Sequence, residues 1–260
     1  MSHVKRFWPL CTALHRYDKS FSTRGRGEGT LIEAPILAYL LETSSGRLLV
    51  DVGCDYAKIS DPALRARWYE RGDAPLPMPA MSDDQRIPRY LARLDLSPRD
   101  IDAVILTHLH FDHAGGLAEF QHADVHLHAR ELAAANEPAD PLYFADEVRA
   151  NDHFRLHHGD FSPCPGVRVI ETFGHTRGHV SVFVELADGP PILLAGDAAD
   201  LSENIEDEIA PGLCYDDDPE PAIASIRKLK ELSEREGAWL WPNHDIAFFR
   251  SLRAFPASYP

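Results

Sequence analysis

Four residues able to hold a metal ion stand within six positions of one another: His108, His110, Asp112 and His113, in Thr107-His108-Leu109-His110-Phe111-Asp112-His113-Ala114-Gly115-Gly116. They follow Ala103-Val104-Ile105-Leu106, an apolar run of strand length. In an extended segment alternate side chains share a face, so His108 and His110 can converge on one point. Asp112 and His113 come as the chain turns and can serve a second point a few Å away. Gly115 and Gly116 are expected to let the backbone fold tightly behind them. A histidine-rich polar loop is the plain alternative, but H-x-H-x-D-H directly after an apolar strand is a specific metal-site pattern.

Three later apolar strands end in residues of the same kind. The run 166–172 leads to His175, the run 191–195 to Asp197, and the run 239–241 to His244. Together the candidates are His108, His110, Asp112, His113, His175, Asp197 and His244. Five imidazoles and two carboxylates suit borderline divalent ions, Zn2+ first, with Mn2+, Co2+ or Fe2+ as alternatives. His126 and His128 also share a face, in the alternating strand 123–129. With no further ligand near them in sequence, they are read as surface histidines.

The elements that must position these residues are legible in outline. The N-terminal part reads as strands, with the runs 34–42 and 47–53 forming a hairpin across Ser44-Ser45-Gly46. Residues 54–100 break this rhythm with repeated prolines. Within them a helix is expected over 83–94, opened by Ser82 with Gln85 three residues on. This segment reads as an insertion that shapes the mouth of the site or makes a dimer contact. Residues 137–165, with His153, His157 and His158, read as loops that could cover the site. Residues 219–236 form an amphipathic helix carrying Ile223, Ile226, Leu229 and Leu232.

Composition narrows the function. The chain has 260 residues and is 44% hydrophobic, enough for one large domain spanning 1–260 with its own core. The net charge of −15, with no Lys, Arg or His between 197 and 226, argues against nucleic acid as a partner. No apolar run approaches the ~18–20 residues of a membrane span. Cys11, Cys54, Cys164 and Cys214 are scattered singly, which suits reduced thiols in a cytoplasm.

The motif at 108–116 resembles the signature of the metallo-β-lactamase superfamily. The resemblance implies an α/β fold, an αββα sandwich of two mixed sheets flanked by helices. It also implies two divalent ions: one held by His108, His110 and His175, the other by Asp112, His113 and His244, with Asp197 bridging and Asp51 orienting ligands from beneath. A metal-bridging hydroxide would then attack an acyl group.

Within the superfamily the chain most resembles the N-acyl homoserine lactonases and 4-pyridoxolactonase. The residues that carry this are Tyr39-Leu40-Leu41-Glu42-Thr43, Leu49-Val50-Asp51-Val52-Gly53, Gly174-His175-Thr176-Arg177-Gly178-His179, the acidic run 203–208 and Asn243-His244-Asp245. The resemblance implies opening of a neutral lactone ring, with other ester, thioester or amide hydrolysis, of glyoxalase II or β-lactamase type, as the alternative. His179 is expected to be structural or to support the ligands. The lactonase family usually carries a tyrosine three residues after the bridging aspartate, and here that position is Asp200. Asp200 is read either as an acceptor for a substrate amide or hydroxyl or as facing solvent. Tyr215, the only tyrosine between Asp197 and His244, is a candidate stand-in.

Overall fold

The computed structural model describes residues 4–71, 77–137, 140–149 and 154–260. Among them, one sheet holds β1 (Val4–Asp18), β2 (Leu31–Thr43), β3 (Gly46–Val50), β4 (Ala103–Ile105), β5 (Asp124–His128) and β6 (Phe154–His157) in that spatial order. β1, β2 and β3 pair antiparallel, while β3 through β6 run parallel. The second sheet holds β7 (Phe161–Cys164), β8 (Val167–Glu171), β9 (Val180–Val184), β10 (Ile192–Leu194) and β11 (Trp239–Trp241), with β11 at the edge beside β10. β10 and β11 are parallel and the other pairs antiparallel.

Period-two alternation stacks these sheets. Leu37, Tyr39 and Leu41 of β2 and Leu48 and Val50 of β3 point inward, against Val167 and Val169 of β8 and Val180, Val182 and Val184 of β9. The opposite faces are also apolar. Leu40, Leu49, Val104 and Val125 pack under Ile87, Leu91, Leu117 and Phe120. Ile170, Phe183 and Leu193 pack under Leu229 and Leu232 of the helix Glu220–Glu236. Each sheet is therefore covered on both faces, which gives the αββα layering and explains why the strands read as nearly unbroken apolar runs.

Three local expectations change. The helix expected over 83–94 splits into a 3-10 turn, Asp83–Gln85, and the helix Ile87–Ala92. Pro88 lacks an N–H and is tolerated only in a first turn, so the helix restarts there after extended Arg86. The stretch 137–165 is not simply loop: it holds a helix, Ala145–Arg149, together with β6 and β7. β6 is an edge strand of only four residues, none of them buried, which is too short to show a pattern. His153 lies outside the described residues. On the helix Glu220–Glu236 the buried stripe is Ala222, Ser225, Ile226, Leu229 and Leu232, with Ile223 at its border.

The segment after β3 contributes the helices Tyr56–Ser60 and Pro62–Trp68, both begun by capping aspartates. Tyr69 and Phe144 pack edge-on and stacked against Phe111, directly beside the ligand motif. Leu14 and Ala80 bridge the segment back to β1.

Candidate metal centre

The ligand loop is built on Asp51. This buried residue sits just past β3 with φ +57°, a left-handed conformation that aspartate tolerates better than most residues. Its Oδ1 accepts from Thr107 N at 2.8 Å, and its Oδ2 accepts from Thr107 Oγ1 and His113 Nδ1, both at 2.8 Å. One carboxyl group thus fixes where β4 gives way to the loop and where His113 points. Gly115 lets the chain pack tightly behind the loop, and it does so by its size. Its backbone is ordinary helix (φ −60°, ψ −36°), and what demands glycine is space: a Cβ there would lie 2.3 Å from Asp55 N.

All seven candidates meet at one rim of the sandwich. His110 Nδ1 and His175 Nε2 stand 3.1 Å apart. Asp197 Oδ2 lies 3.5 Å from His175 Nε2 and 3.9 Å from His108 Nε2. Its Oδ1 lies 3.2 Å from both His113 Nε2 and His244 Nε2. Asp112 Oδ2 is 3.8 Å from each of those two nitrogens. The donor atoms group as His108, His110 and His175 on one side and Asp112, His113 and His244 on the other, with Asp197 between them.

The outer ring nitrogens are bonded away from this centre. His113 Nδ1 meets Asp51, His175 Nδ1 the carbonyl of Leu213 at 3.0 Å, and His244 Nδ1 the carbonyl of Pro35 at 2.8 Å. Each such bond places the proton outside and a lone pair inside. His110 reverses the rule: its Nε2 faces Asp140 Oδ2 at 3.2 Å, leaving Nδ1 inward. Meanwhile Nε2 of His108 and of His113 are buried with no hydrogen-bond partner. Orphaned buried nitrogens beside a shared carboxylate are what a metal site leaves when its donors are counted alone, so the residues fit two divalent ions.

Electrostatics agree. Burial drives His108 well below the ordinary imidazole range and His175 down to about 4, so both are neutral donors. Burial opposes protonation of His244 too, yet the charge of Asp197 raises it to about 10. A single carboxylate among imidazoles attracts positive charge, as protons or as metal.

The profile of the metallo-beta-lactamase superfamily matches residues 32–244, a span that includes every candidate ligand. The chain belongs to this superfamily. Along its length the chain is 34% identical over 253 residues to the N-acyl homoserine lactonase AiiA of Bacillus thuringiensis subsp. kurstaki, covering 97% of this chain and 98% of that one. It is 27% identical to the N-acyl homoserine lactonase AttM of Rhizobium johnstonii, with 90% of each chain covered. In structure it matches an N-acyl homoserine lactone hydrolase with the product N-hexanoyl-L-homoserine bound at the catalytic metal centre. That match has a TM-score of 0.89 and 32% identity, and it covers both chains completely. The αββα architecture and the lactonase-like family expected from the motifs both hold.

Other residues around the candidate centre divide between expectation and surprise. His179 supports the centre: its Nε2 accepts from Asp197 N at 2.9 Å, and its Nδ1 bonds Thr172 O at 3.0 Å. Tyr215 lines the cavity above the ligands together with Leu213, and the Arg177 guanidinium covers its ring at 4.8 Å. Asp200 does not face solvent. It is 5% exposed, lines the same cavity, and burial beside Asp197 raises its carboxyl above the ordinary range.

Three supporting residues went unread: Asp140 on His110, Asn243 donating to Asp197 Oδ1 at 2.9 Å, and Glu131. Glu131 accepts from Leu109 N and Tyr143 OH on one oxygen and from Thr176 Oγ1 and Gly178 N on the other. It ties the loop carrying His108 and His110 to the loop carrying His175. Only Asn243 lay within a recognisable motif; Asp140 and Glu131 carry no local signal.

His128 is also corrected. It is 2% exposed, caps the helix Ala129–Ala135 by accepting from Arg130 N at 3.2 Å, and meets Glu171 Oε1 at 3.0 Å. His126 is half-buried and pairs with His157 at 2.9 Å. His128→Ala should cost about 1–2 kcal/mol through the lost cap and bond. Metal content should stay unchanged, since His128 is absent from the donor groups; a thermal melt and elemental analysis of the variant check both halves.

Proposed function

We propose that this chain is a dinuclear-metal hydrolase that opens the ring of a neutral N-acyl homoserine-type lactone. Zinc is the first choice of metal. The observation that carries the reading is the pair of donor sets sharing Asp197 at the floor of a cavity of about 550 Å³. His108, His110 and His175 would hold one ion, Asp112, His113 and His244 the other, and Asp197 both. Two such ions, when bound, would supply hydroxide at neutral pH and polarise a carbonyl. Around them the chain does the positioning. Asp51 and Asp140 orient the imidazoles, and His179 pins the backbone of Asp197.

The walls select the substrate. Phe21, Pro77, Phe111, Leu142 and Leu213 give an apolar side suited to an acyl chain. The polar side carries Asp112, Asp140, Asp200, Asp216 and Asp217. Arg177 is the only Lys or Arg among the described lining residues, and it is engaged by Glu137 and Asp216 at 3.0 and 3.2 Å. An anionic β-lactam or an acidic thioester would meet repulsion here, whereas a neutral lactone would not. The segment 54–100 is then an insertion on one catalytic domain, with Pro77 at the mouth. Four free cysteines suit a reducing compartment, so we place the protein in the cytoplasm.

Protein purified without chelator should contain close to two metal ions per chain. Followed with a pH indicator, it should acidify solutions of N-acyl homoserine lactones and be slow on a chromogenic cephalosporin and on acidic thioesters. Metal-replete protein inert on every lactone but active on another ester or amide would replace this reading with the general hydrolase one.

A further inference from the structure

Asp200 presents an oxygen that nothing in the protein satisfies. Its Oδ1 is buried with no hydrogen-bond partner, although the residue is 5% exposed. A buried carboxyl oxygen left unpaired is costly, so something outside the chain has to meet it. The orphan does not result from a loose side chain. Asp200 O accepts from His244 N at 2.8 Å, and Ala199 O accepts from Asn243 N at 3.0 Å, strapping this turn to the strand end that carries His244. Tyr17 and Ser22 stand beside the Asp200 carboxyl, with Ser22 Oγ 2.9 Å from Tyr17 OH. Ser22 is fully buried, and its carbonyl accepts from Asn204 Nδ2 at 2.9 Å. The backbone that carries the carboxyl is thus held in place, and its neighbours suggest a partner. Donor atoms of Asp197, Asp200 and His244 all lie within 4.8 Å of one another.

We propose that Asp200 is an eighth metal ligand, completing the second donor set with Asp112, His113, Asp197 and His244. The inference rests on the two-metal reading above and adds a difference between its two sites. The first set offers three imidazoles and one carboxylate, the second two imidazoles and three carboxylates. The second site is thereby richer in oxygen, more negative and capable of more than four protein contacts, features that favour harder divalent ions.

The test uses metal alone on the intact chain. Zn2+ binding is measured by competition with a chelator, and Co2+ binding by its visible spectrum, in wild type, Asp200→Asn and Asp200→Glu. Asp200→Asn should weaken one of the two ions by at least about tenfold, the lower end of what losing even an orienting partner costs. The other ion should stay as it was. The visible bands of the second Co2+ should intensify as its coordination number falls, and Asp200→Glu should recover most of the lost affinity.

Wild type that binds two ions, with Asp200→Asn unchanged in both affinities and spectrum, would overturn the assignment while leaving the two-metal reading intact. Weakened binding with an unchanged Co2+ spectrum would also overturn it, since Asp200 would then act only by its charge. If Asp200→Asn does not fold, wild type alone decides. Second-site Co2+ bands as intense as those of a four-coordinate ion would rule the extra ligand out, and weak bands would support it. Wild type that never takes up a second ion would instead sink the two-metal reading itself.

Discussion

Asp197→Asn should empty the centre. Asp197 stands between the two donor groups: its Oδ1 lies 3.2 Å from His113 and His244, and its Oδ2 lies 3.2 Å from His244 and 3.5 Å from His175. Asparagine keeps the shape but removes the charge and turns one inward oxygen into a donor. Two adjacent dications would then lose their shared counter-charge, and the Asn243 amide that now donates to Oδ1 at 2.9 Å would face either a weaker acceptor or another amide. Loss of an orienting partner alone costs about 10–100-fold in metal affinity or activity, so loss of a ligand shared by both ions should exceed about a hundredfold in turnover. Metal content should fall from near two to below one per chain. Exposed Glu234→Ala, on the helix Glu220–Glu236 and outside the donor groups, is the control. A variant that still carries two ions and turns over within tenfold of wild type would show that Asp197 is not the shared ligand.

The second large effect is expected at a residue that is not itself a candidate ligand. Glu131 is fully buried, and both its oxygens accept two hydrogen bonds, from four residues on three segments. Glu131→Gln cannot reproduce this. The hydroxyls of Tyr143 and Thr176 can rotate to accept, but the backbone N–H of Leu109 or of Gly178 must face the new amide hydrogens. One buried donor is left unpaired at about 1–3 kcal/mol, and three bonds lose the strength of a charged acceptor. We expect about 3–5 kcal/mol in all, or a drop of roughly 10 °C in Tm for a chain of this size. Chelator-treated protein should be used, so that metal linkage does not enter. Metal affinity should fall as well, since His110 and His175 stand on the two loops that Glu131 joins. A Tm within 2 °C of wild type would mean that other contacts hold those loops together.

The contrast between these residues shows where local sequence stops being informative. His108 to His113 could be read because four donor types are compressed into six positions at the end of an apolar strand. His175, Asp197 and His244 could be read because each also ends an apolar run, and a sheet covered on both faces keeps its runs apolar. The long helix Glu220–Glu236 was legible from its period, and its αL Gly237 cap closes it as that pattern requires. Asp51 was found through its motif, though not the left-handed backbone that lets it reach Thr107 and His113 together.

What the chain alone determined, then, is the set of candidate ligands and the strands that end in them, because side-chain type and period are properties of neighbouring residues. Tertiary structure decided what those ligands lean on. Glu131, Asp140 and the carbonyls of Pro35 and Leu213 are ordinary residues in sequence, and they matter only because packing brings them to an outer ring nitrogen or a buried N–H. The same holds for His128, polar in pattern yet buried as a cap, and for Asp200, whose orphaned oxygen lies in a turn strapped to the strand end at His244. A hydrogen bond between distant segments leaves no periodic trace, since its partners are chosen by geometry after the sheets have stacked.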